Sequence, residues 1–215
     1  MSAGSDHGPL TVADVNALRE CLDRGGVAVF PADTVYGLGC DPDSEPAVKR
    51  LYELKGRPPA RPSAVMFFAL DQVLEALPEL GPRERGALRA LLPGPLTLLL
   101  PNPARRYPLA CGPDRGAAET IGVRVPSPAP QLAALAVLGR PLLQSSANRS
   151  GGLEARRLAD VPAAIRAGVD VTLDGGELPG LASTVLDLRD YARSGQWRIV
   201  RAGPVGQAEI ECVLG

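Results

Sequence analysis

Cationic residues cluster at one predicted helix end, where they have the chemistry to bind the phosphates of a nucleotide. Lys55-Gly56-Arg57 is followed by Arg61, so three cations fall within seven residues. Lysine meets a phosphate as a point charge and arginine as a bidentate fork, so such a group can bind a polyphosphate. A helix carboxyl end also attracts cations through its dipole, and the motif alone favours that plainer explanation.

Polar residues also follow several predicted strands. Residues 145–151 (Ser-Ser-Ala-Asn-Arg-Ser-Gly) come directly after the predicted strand 142–144. Hydroxyl and amide groups at a strand's carboxyl end are typical of a ligand-binding loop in an α/β fold. A helix cap or an Asx-turn explains the same residues equally well. Ser183 and Arg201 stand beside two other strand ends, where turn chemistry is again the alternative.

Arg124 lies within the apolar sequence Thr-Ile-Gly-Val-Arg-Val-Pro of residues 120–126. If this arginine is buried, it needs a carboxylate partner or an anionic ligand, because an unpaired buried charge is costly. The alternative is a strand whose polar face points to solvent.

Other kinds of chemistry lack the residues that they need. The only histidine, His7, stands near the amino terminus, which argues against a Ser-His-Asp or Cys-His mechanism. The four cysteines are widely separated, which argues against a zinc site and favours a reducing, cytoplasmic location. Asp41 and Asp43 lack the glycine and the glutamate of a calcium loop, so no dedicated metal ligand is predicted. Asp33 could help to bind Mg²⁺ or orient other groups.

The bulk properties of the chain indicate one globular domain. Its 215 residues are 45% hydrophobic, which is enough for one large core. Residues 1–10 are predicted to be flexible, and no apolar run approaches the roughly 20 residues that cross a bilayer, so no membrane contact is expected. The net charge of −1, from 23 basic and 24 acidic residues, provides no overall field that attracts nucleic acid.

Hydrophobic periodicity predicts the elements that must position the polar groups. It predicts helices at residues 11–24, 44–55, 71–77, 82–92, 130–138 and 158–167. It predicts strands at residues 27–30, 64–68, 96–100, 121–125, 142–144, 171–173, 184–188 and 197–200. Helices and strands alternate early and strands crowd together late, which predicts an α/β domain with a mixed sheet. Gly37-Leu38-Gly39 is predicted to form a tight turn, and residues 101–119 a long surface loop.

Seven segments, in collinear order, resemble the YrdC-like threonylcarbamoyl-AMP synthase family over nearly the whole chain. Each segment alone is weak evidence, and their common order makes the resemblance specific. The segments are 31–39 (Pro-Ala-Asp-Thr-Val-Tyr-Gly-Leu-Gly), 47–58 (ending in Lys-Gly-Arg-Pro), 92–97 (Leu-Pro-Gly-Pro-Leu-Thr), 121–126 (Ile-Gly-Val-Arg-Val-Pro), 145–151, 183–185 (Ser-Thr-Val) and 201–203 (Arg-Ala-Gly).

The resemblance implies a fold and a reaction. The fold is a single α/β domain, in which an open, twisted, mixed β-sheet flanked by helices holds a large concave cavity. Residues 11–210 would form this catalytic domain, without the additional C-terminal domain of longer relatives. The reaction joins L-threonine, bicarbonate or CO2, and ATP into threonylcarbamoyl-AMP and pyrophosphate, with Mg²⁺ expected on the phosphates. Downstream proteins would transfer the threonylcarbamoyl group to tRNA.

The resemblance also assigns residues to the two ligands. Those implied for ATP are Lys55, Arg57, Arg61, Thr120, Asn148, Arg156 and Arg201. Those implied for L-threonine are Thr34, Met66, Arg124, Ser146 and Ser183, with Arg124 facing the carboxylate. The catalytic set is Lys55, Arg57, Ser146 and Asn148. Because Lys55 and Arg57 follow a helix, both are expected at an exposed helix end, where alanine substitution would leave the fold intact.

Two alternatives remain open at the level of the sequence. Ala32 stands where the family usually has threonine, so a paralogue that carbamoylates another acceptor is one alternative. An RNA-binding module of the same fold without synthase activity is the other. The near-zero net charge argues against strong nonspecific RNA binding, and a weak contact with tRNA or other RNA remains an expectation.

Overall fold

The computed structural model describes residues 8–58, 61–112 and 119–215. His7, most of the amino-terminal segment predicted to be flexible and the middle of the predicted loop 101–119 lie outside these ranges. Leu10 belongs to that segment, yet its side chain is buried and its N–H donates to the Gln131 carbonyl at 2.8 Å. No helix in the described ranges is both long and apolar enough to cross a bilayer.

The elements are numbered in chain order. The α-helices are α1 Val12–Asp23, α2 Glu45–Lys55, α3 Leu70–Ala76, α4 Pro82–Leu91, α5 Pro108–Cys111, α6 Ala163–Gly168, α7 Tyr191–Ser194 and α8 Gln207–Leu214. Segments of 3-10 helix cover Pro130–Leu138 and Leu158–Asp160. The strands are β1 Val27–Pro31, β2 Tyr36–Cys40, β3 Ala64–Met66, β4 Leu96–Pro101, β5 Thr120–Arg124, β6 Leu142–Ser146, β7 Val171–Thr172, β8 Thr184–Asp187 and β9 Arg198–Arg201.

All of these strands belong to one open sheet, whose order is β7-β1-β2-β6-β3-β5-β4-β8-β9. The pairs β1–β7, β3–β5 and β4–β8 are parallel, and the other neighbouring pairs are antiparallel. A single cluster of buried side chains connects the strands with the flanking helices. The structure therefore confirms the predicted α/β domain with an open, mixed sheet.

Local sequence signals set the ends of the first two helices. Thr11 and Asp14 form a capping box, in which the Asp14 N–H donates to Thr11 Oγ1 at 3.2 Å and the Thr11 N–H donates to Asp14 Oδ2 at 2.8 Å. Helix α2 ends at Lys55 because Gly56 adopts a left-handed conformation with φ of 58°. The end of the helix thereby fixes the position of Lys55, and Arg57 lies just beyond it.

The predicted tight turn at Gly37-Leu38-Gly39 is wrong, because these residues lie inside strand β2. The glycines serve packing there. A Cβ atom on Gly37 would stand 2.8 Å from Gln144 Nε2, and one on Gly39 would stand 2.9 Å from a ring carbon of Phe30. The structure also adds α5 inside the predicted surface loop and α8 after the last predicted strand. Residues 130–138, predicted as an ordinary helix, form a 3-10 helix.

A row of residues across four adjacent strands forms the floor of a cavity. In register, Gln144 of β6 pairs with Ala64 of β3, Ala64 with Gly122 of β5, and Gly122 with Leu99 of β4. All four residues line the cavity. Because Ala64 and Gly122 project little or no side chain from the centre of the sheet, space is left between the larger residues on either side.

We predict that Gly203→Ala destabilises the protein and disturbs one wall of this cavity. A Cβ atom on Gly203 would stand 2.3 Å from the Thr184 nitrogen and 2.5 Å from the Ala182 carbonyl oxygen, and backbone atoms cannot rotate away. Such overpacking costs about 1–3 kcal/mol, which urea unfolding would measure. Gly86→Ala is the control: Gly86 lies within α4 with open space around it, so alanine should add roughly 0.5–1 kcal/mol of stability. Wild-type stability of Gly203→Ala would contradict the prediction.

Candidate active site

The cavity above the sheet has a volume of about 560 Å³, within the range of ligand-binding pockets, roughly 300–1,000 Å³. It gathers six of the twelve residues assigned from the sequence, contributed by three strands and two loops. Those six are Arg57, Thr120, Arg124, Ser146, Ser183 and Arg201. The fold thus brings distant segments of the chain to one place, as the resemblance implies.

The other six assigned residues do not line this cavity. Thr34, Lys55, Met66 and Asn148 are buried around it, and Met66 is fully enclosed in the hydrophobic core, so the expectation that Met66 lines the amino-acid pocket is wrong. Arg61 is exposed outside the cavity. Arg156 is also exposed, and its guanidinium pairs with Glu177 at 2.8 Å. Neither arginine contacts the cavity in this conformation.

Lys55 is buried, with 2% of its surface exposed, which overturns the expectation of an exposed helix end. Its ammonium group donates to the carbonyl oxygen of Ser146, to the carbonyl oxygen of Asn148 at 2.8 Å and to Asn148 Oδ1 at 2.9 Å. A lysine ammonium has three donors, so these oxygens occupy all of them. Burial, and secondarily the charge of Arg57, lower the pKa of Lys55 to about 8. Lys55 therefore holds the loop in place from beneath the cavity.

Asn148 continues this network through the loop. Its Oδ1 accepts from Ser146 Oγ at 2.8 Å as well as from Lys55, and its Nδ2 donates to the Gly152 carbonyl at 2.7 Å. The side chain is 6% exposed, so its amide is used within the protein. Ser146, in contrast, lines the cavity with its hydroxyl group held at a fixed angle. Ser146 therefore faces the cavity, and Asn148 orients the Ser146 hydroxyl group from behind.

Arg124 is buried beside the cavity, and its partner is Asp33. Nη2 of Arg124 lies 2.6 Å from Asp33 Oδ1, and both side chains are almost fully enclosed. Nη1 donates to Gln144 Oε1 at 3.0 Å, and the contact of Nη2 with Thr34 Oγ1, at 3.5 Å, is long. Burial lowers the pKa of Arg124, and the Asp33 carboxylate opposes that shift. The alternative of a solvent-facing strand is therefore wrong.

This ion pair is incomplete on both sides. Nε of Arg124 and Oδ2 of Asp33 are buried and have no hydrogen-bond partner within the described part of the chain. Unsatisfied buried groups are costly, so they mark a place where a ligand can supply the missing bonds. Arg124 has a free donor for a carboxylate. Asp33 orients another group, as the sequence suggested, because its carboxylate contacts the Arg124 guanidinium.

Arg201 and Ser183 form a third polar group on the cavity wall. Nη2 of Arg201 donates to the Ser183 carbonyl at 2.8 Å and contacts Ser183 Oγ at 3.2 Å. Ser183 Oγ is also 2.8 Å from Thr97 Oγ1. Arg57 is held comparably, since its Nε donates to the Arg61 carbonyl at 3.2 Å and its Nη2 to the Pro62 carbonyl. Both guanidinium groups are thus held by carbonyl oxygens, and each keeps further donors without a partner among the residues that the structure describes.

Sequence reasoning did not single out several residues that line the cavity. Thr97 ends the quoted segment 92–97 and Gln144 directly precedes the segment 145–151, so the motifs provided a signal for both. Glu154 and Arg189 had none, because each reaches the cavity from a loop with no diagnostic pattern. Arg189 forms a bidentate pair with Asp187, through Nε at 2.9 Å and Nη2 at 2.6 Å. Hydrogen bonding from Arg189 is the main cause that lowers the pKa of Asp187 to about 2.

A family model for Sua5, YciO and YrdC proteins, which bears the description "Telomere recombination", matches residues 20–203. The chain belongs to this family. A threonylcarbamoyl-AMP synthase from Chromohalobacter salexigens is 42% identical over 171 residues, which cover 78% of this chain and 89% of that protein. Another, from Xanthomonas campestris, is 40% identical over 186 residues, covering 85% of this chain and 95% of that protein.

Solved structures of family members have the same fold. Sua5 of Pyrococcus abyssi complexed with L-threonine superposes with a TM-score of 0.82 at 30% identity, covering 96% of this chain. This chain spans 58% of the length of that protein. YciO of Escherichia coli superposes with a TM-score of 0.71 at 26% identity, covering 95% of this chain and 96% of that one. Full-length HypF, at 21% identity and a TM-score of 0.65, shares the fold alone.

We predict that Lys55→Met destabilises the protein by about 2–4 kcal/mol near neutral pH, because three buried oxygens lose a charged donor. The measurement is urea unfolding of the two proteins. Lys49→Met, on the same helix but with an exposed side chain, should stay within roughly 0.5 kcal/mol of the wild type. A tolerant Lys55→Met variant would show that the lysine does not hold the loop.

We also predict that the difference in unfolding free energy between the wild type and Lys55→Met depends on pH. The pKa of Lys55 is about 8 in the folded protein and 10.5 ordinarily, so between these values the unfolded chain binds more protons at this site. Stability contributed by this group therefore rises with pH across that window. Thiols and tyrosines titrate in both proteins, so the difference between wild type and Lys55→Met isolates the lysine. This difference should grow from pH 8 to pH 10, and a constant difference would contradict the lowered pKa.

Proposed function

We propose that this chain is a threonylcarbamoyl-AMP synthase, which converts L-threonine, bicarbonate or CO2, and ATP into threonylcarbamoyl-AMP and pyrophosphate. The observation that carries the proposal is the direct contact between Lys55 of the Lys-Gly-Arg segment and the backbone of the Ser-x-Asn loop, beside a cavity lined by arginines. The relatives that share this activity by name cover most of the chain at 40–42% identity.

The proposed chemistry needs no side-chain nucleophile. The amine of threonine loses its proton and adds to CO2, which forms a carbamate and releases a second proton. A carbamate oxygen then attacks the α-phosphorus of ATP, and the bond from that phosphorus to the oxygen bridging the α- and β-phosphates breaks. Pyrophosphate leaves with the electron pair of that bond. Positioning of the two substrates and stabilisation of negative charge therefore account for the catalysis.

The cavity-lining residues divide between the two substrates. Arg57 and Arg201 would bind phosphate oxygens, since each guanidinium is held by carbonyl oxygens and keeps donors without partners among the described residues, and Thr120 would add a hydroxyl group. Ser146 would offer its hydroxyl group to the threonine. Arg124 would bind the threonine carboxylate through its free Nε. The remaining members of this site support these contacts: Ser183 anchors Arg201, Thr34 lies beside Arg124, and Lys55 and Asn148 hold the loop.

The substrate at the acceptor end is proposed to be threonine. The structure of Pyrococcus abyssi Sua5 was solved with L-threonine, and Sua5 is 30% identical to this chain in an alignment that covers 96% of this chain. Ala32 is 1% exposed, packs within the hydrophobic core and does not line the cavity. Residues 11–210 would provide the whole reaction, in the cytoplasm, and downstream proteins would pass the product to tRNA.

The activity should appear as release of pyrophosphate from ATP that requires both threonine and bicarbonate. Arg57→Ala should lower kcat roughly 100- to 1,000-fold, because one preorganised donor to the developing charge is lost. Arg89→Ala is the matched control, since Arg89 is exposed on α4 and does not line the cavity. Equal activity of Arg57→Ala and wild type would remove Arg57 from the site. Absence of threonine-dependent release by the folded wild-type protein would favour the paralogue or the RNA-binding module.

A separate substitution tests the threonine end. Arg124→Lys retains a positive charge beside Asp33 but loses the guanidinium, so we expect the KM for threonine to rise about 10- to 100-fold, the value of a charged hydrogen bond. The KM for ATP should stay near that of the wild type. Steady-state kinetics with each substrate varied in turn would measure both values. A parallel rise in the KM for ATP would count against a carboxylate-binding role.

A further inference from the structure

The cavity contains one carboxylate among its described lining residues, that of Glu154. It shares the walls with the guanidinium groups of Arg57, Arg124, Arg189 and Arg201. A cavity that receives a polyphosphate gains from arginines and is opposed by a carboxylate, because like charges repel. A cation that enters with the ligand would offset this repulsion.

No cationic side chain in the described part of the chain pairs directly with Glu154. Glu154 forms no salt bridge within the described part of the chain, and its Oε2 is buried without a hydrogen-bond partner. An unpaired buried acceptor costs about 1–3 kcal/mol, and more when it is charged. Such a group in a folded protein indicates a missing ion, water or ligand.

The backbone on either side fixes where this carboxylate lies. The Gly152 carbonyl accepts from Asn148 Nδ2 at 2.7 Å, and the Ala155 carbonyl accepts from the Tyr36 N–H at 2.9 Å. Glu154 is held between these two anchors, beside the loop that Lys55 organises. Its charge also acts on Lys55 and on Arg124, whose pKa values are lowered chiefly by burial and raised by Glu154. The carboxylate thus lies within electrostatic reach of both substrate ends.

Two cations could meet Glu154, and the reaction discriminates between them. The first is the ammonium group of threonine, but a carboxylate would stabilise its protonated form, which cannot add to CO2. The second is the divalent ion that accompanies ATP. Mg²⁺ at nucleotide sites is commonly bound by one or two carboxylates together with the substrate phosphates. The described residues contain no group of three or more metal ligands, so a metal here would depend on the nucleotide.

We propose that Glu154 is the protein ligand for the Mg²⁺ ion that enters with ATP, placed between the phosphate-binding arginines and the acceptor end of the cavity. The inference rests on the proposed function, because it needs a nucleotide in this cavity. Mg²⁺ fits the site since the Glu154 carboxylate lines the cavity, has one oxygen without a partner in the described part of the chain, and is the hard anionic type of donor that this ion prefers. The bound ion would reduce repulsion between Glu154 and the phosphates and between the phosphates and the incoming carbamate.

The test is binding of the α,β-methylene analogue of ATP, measured by calorimetry in Mg²⁺ and in EDTA. The analogue has a carbon in place of the oxygen that must leave, so no reaction occurs. For the wild type, Mg²⁺ should tighten binding. In Glu154→Gln this benefit should fall roughly tenfold or more, as when groups that support a metal are lost. Binding in EDTA should stay equal or become tighter, because a repulsive charge is removed.

Glu53→Gln is the matched control, since it removes one carboxylate from an exposed position on α2 and should keep the wild-type response to Mg²⁺. Glu154→Ala, with thermal melting of each variant, separates loss of the ligand from loss of the fold. A wild-type response in both Glu154 variants would overturn the proposal, and so would equal tightening in Mg²⁺ and in EDTA. Failure of the wild type to bind the analogue in either buffer would overturn the proposed function itself. Binding that ignores Mg²⁺ would overturn the role of Glu154 alone.

Discussion

The site depends on how the protein keeps the Lys55 ammonium charged inside its core. Burial disfavours the charged form of a lysine, and here it lowers the pKa to about 8. Oxygens of Ser146 and Asn148 replace the lost water, so the chain after β6 must fold back over the end of α2. That requirement determines the path of the loop, and with it the positions of Ser146 and Glu154 on the cavity wall.

The remaining cations are immobilised by a different device. Arg57 and Arg201 donate to backbone carbonyls, whereas Arg124 and Arg189 donate to the carboxylates of Asp33 and Asp187. A carbonyl oxygen orients a guanidinium without neutralising it, so Arg57 and Arg201 keep full charge for an anionic ligand. Arg124 is partly neutralised by Asp33, which suits a ligand that carries one carboxylate. This division agrees with a cavity for a polyphosphate at one end and an amino acid at the other.

Much of the fold could be predicted from the sequence, because its signals are local. The capping residue Thr11, the left-handed Gly56 and the apolar runs of the central strands each act within a few residues. Strand β2 could not be predicted from such signals. Its glycines, Gly37 and Gly39, are required because the side chains of Gln144 and Phe30 approach too closely for a Cβ atom. Gln144 and Phe30 lie on the two strands that neighbour β2 and outside the local sequence around each glycine. A glycine therefore indicates a turn only where tertiary packing does not require a glycine for another reason.

For the candidate site, the sequence by itself determined the family motifs and their order, and six of the twelve residues that it assigned line one cavity. Only the tertiary structure decided which members face the ligand space. Lys55 and Asn148 stand in motifs yet lie beneath the surface, as does Met66, which the resemblance also assigned, while Glu154 and Arg189 belong to no motif and reach the cavity from loops. The physical reason is that exposure and pairing of a side chain depend on residues far away in the sequence. Spacing within a motif does not show that the donors of Lys55 are used by buried oxygens. Nor does it show that Oε2 of Glu154 has no partner within the described part of the chain.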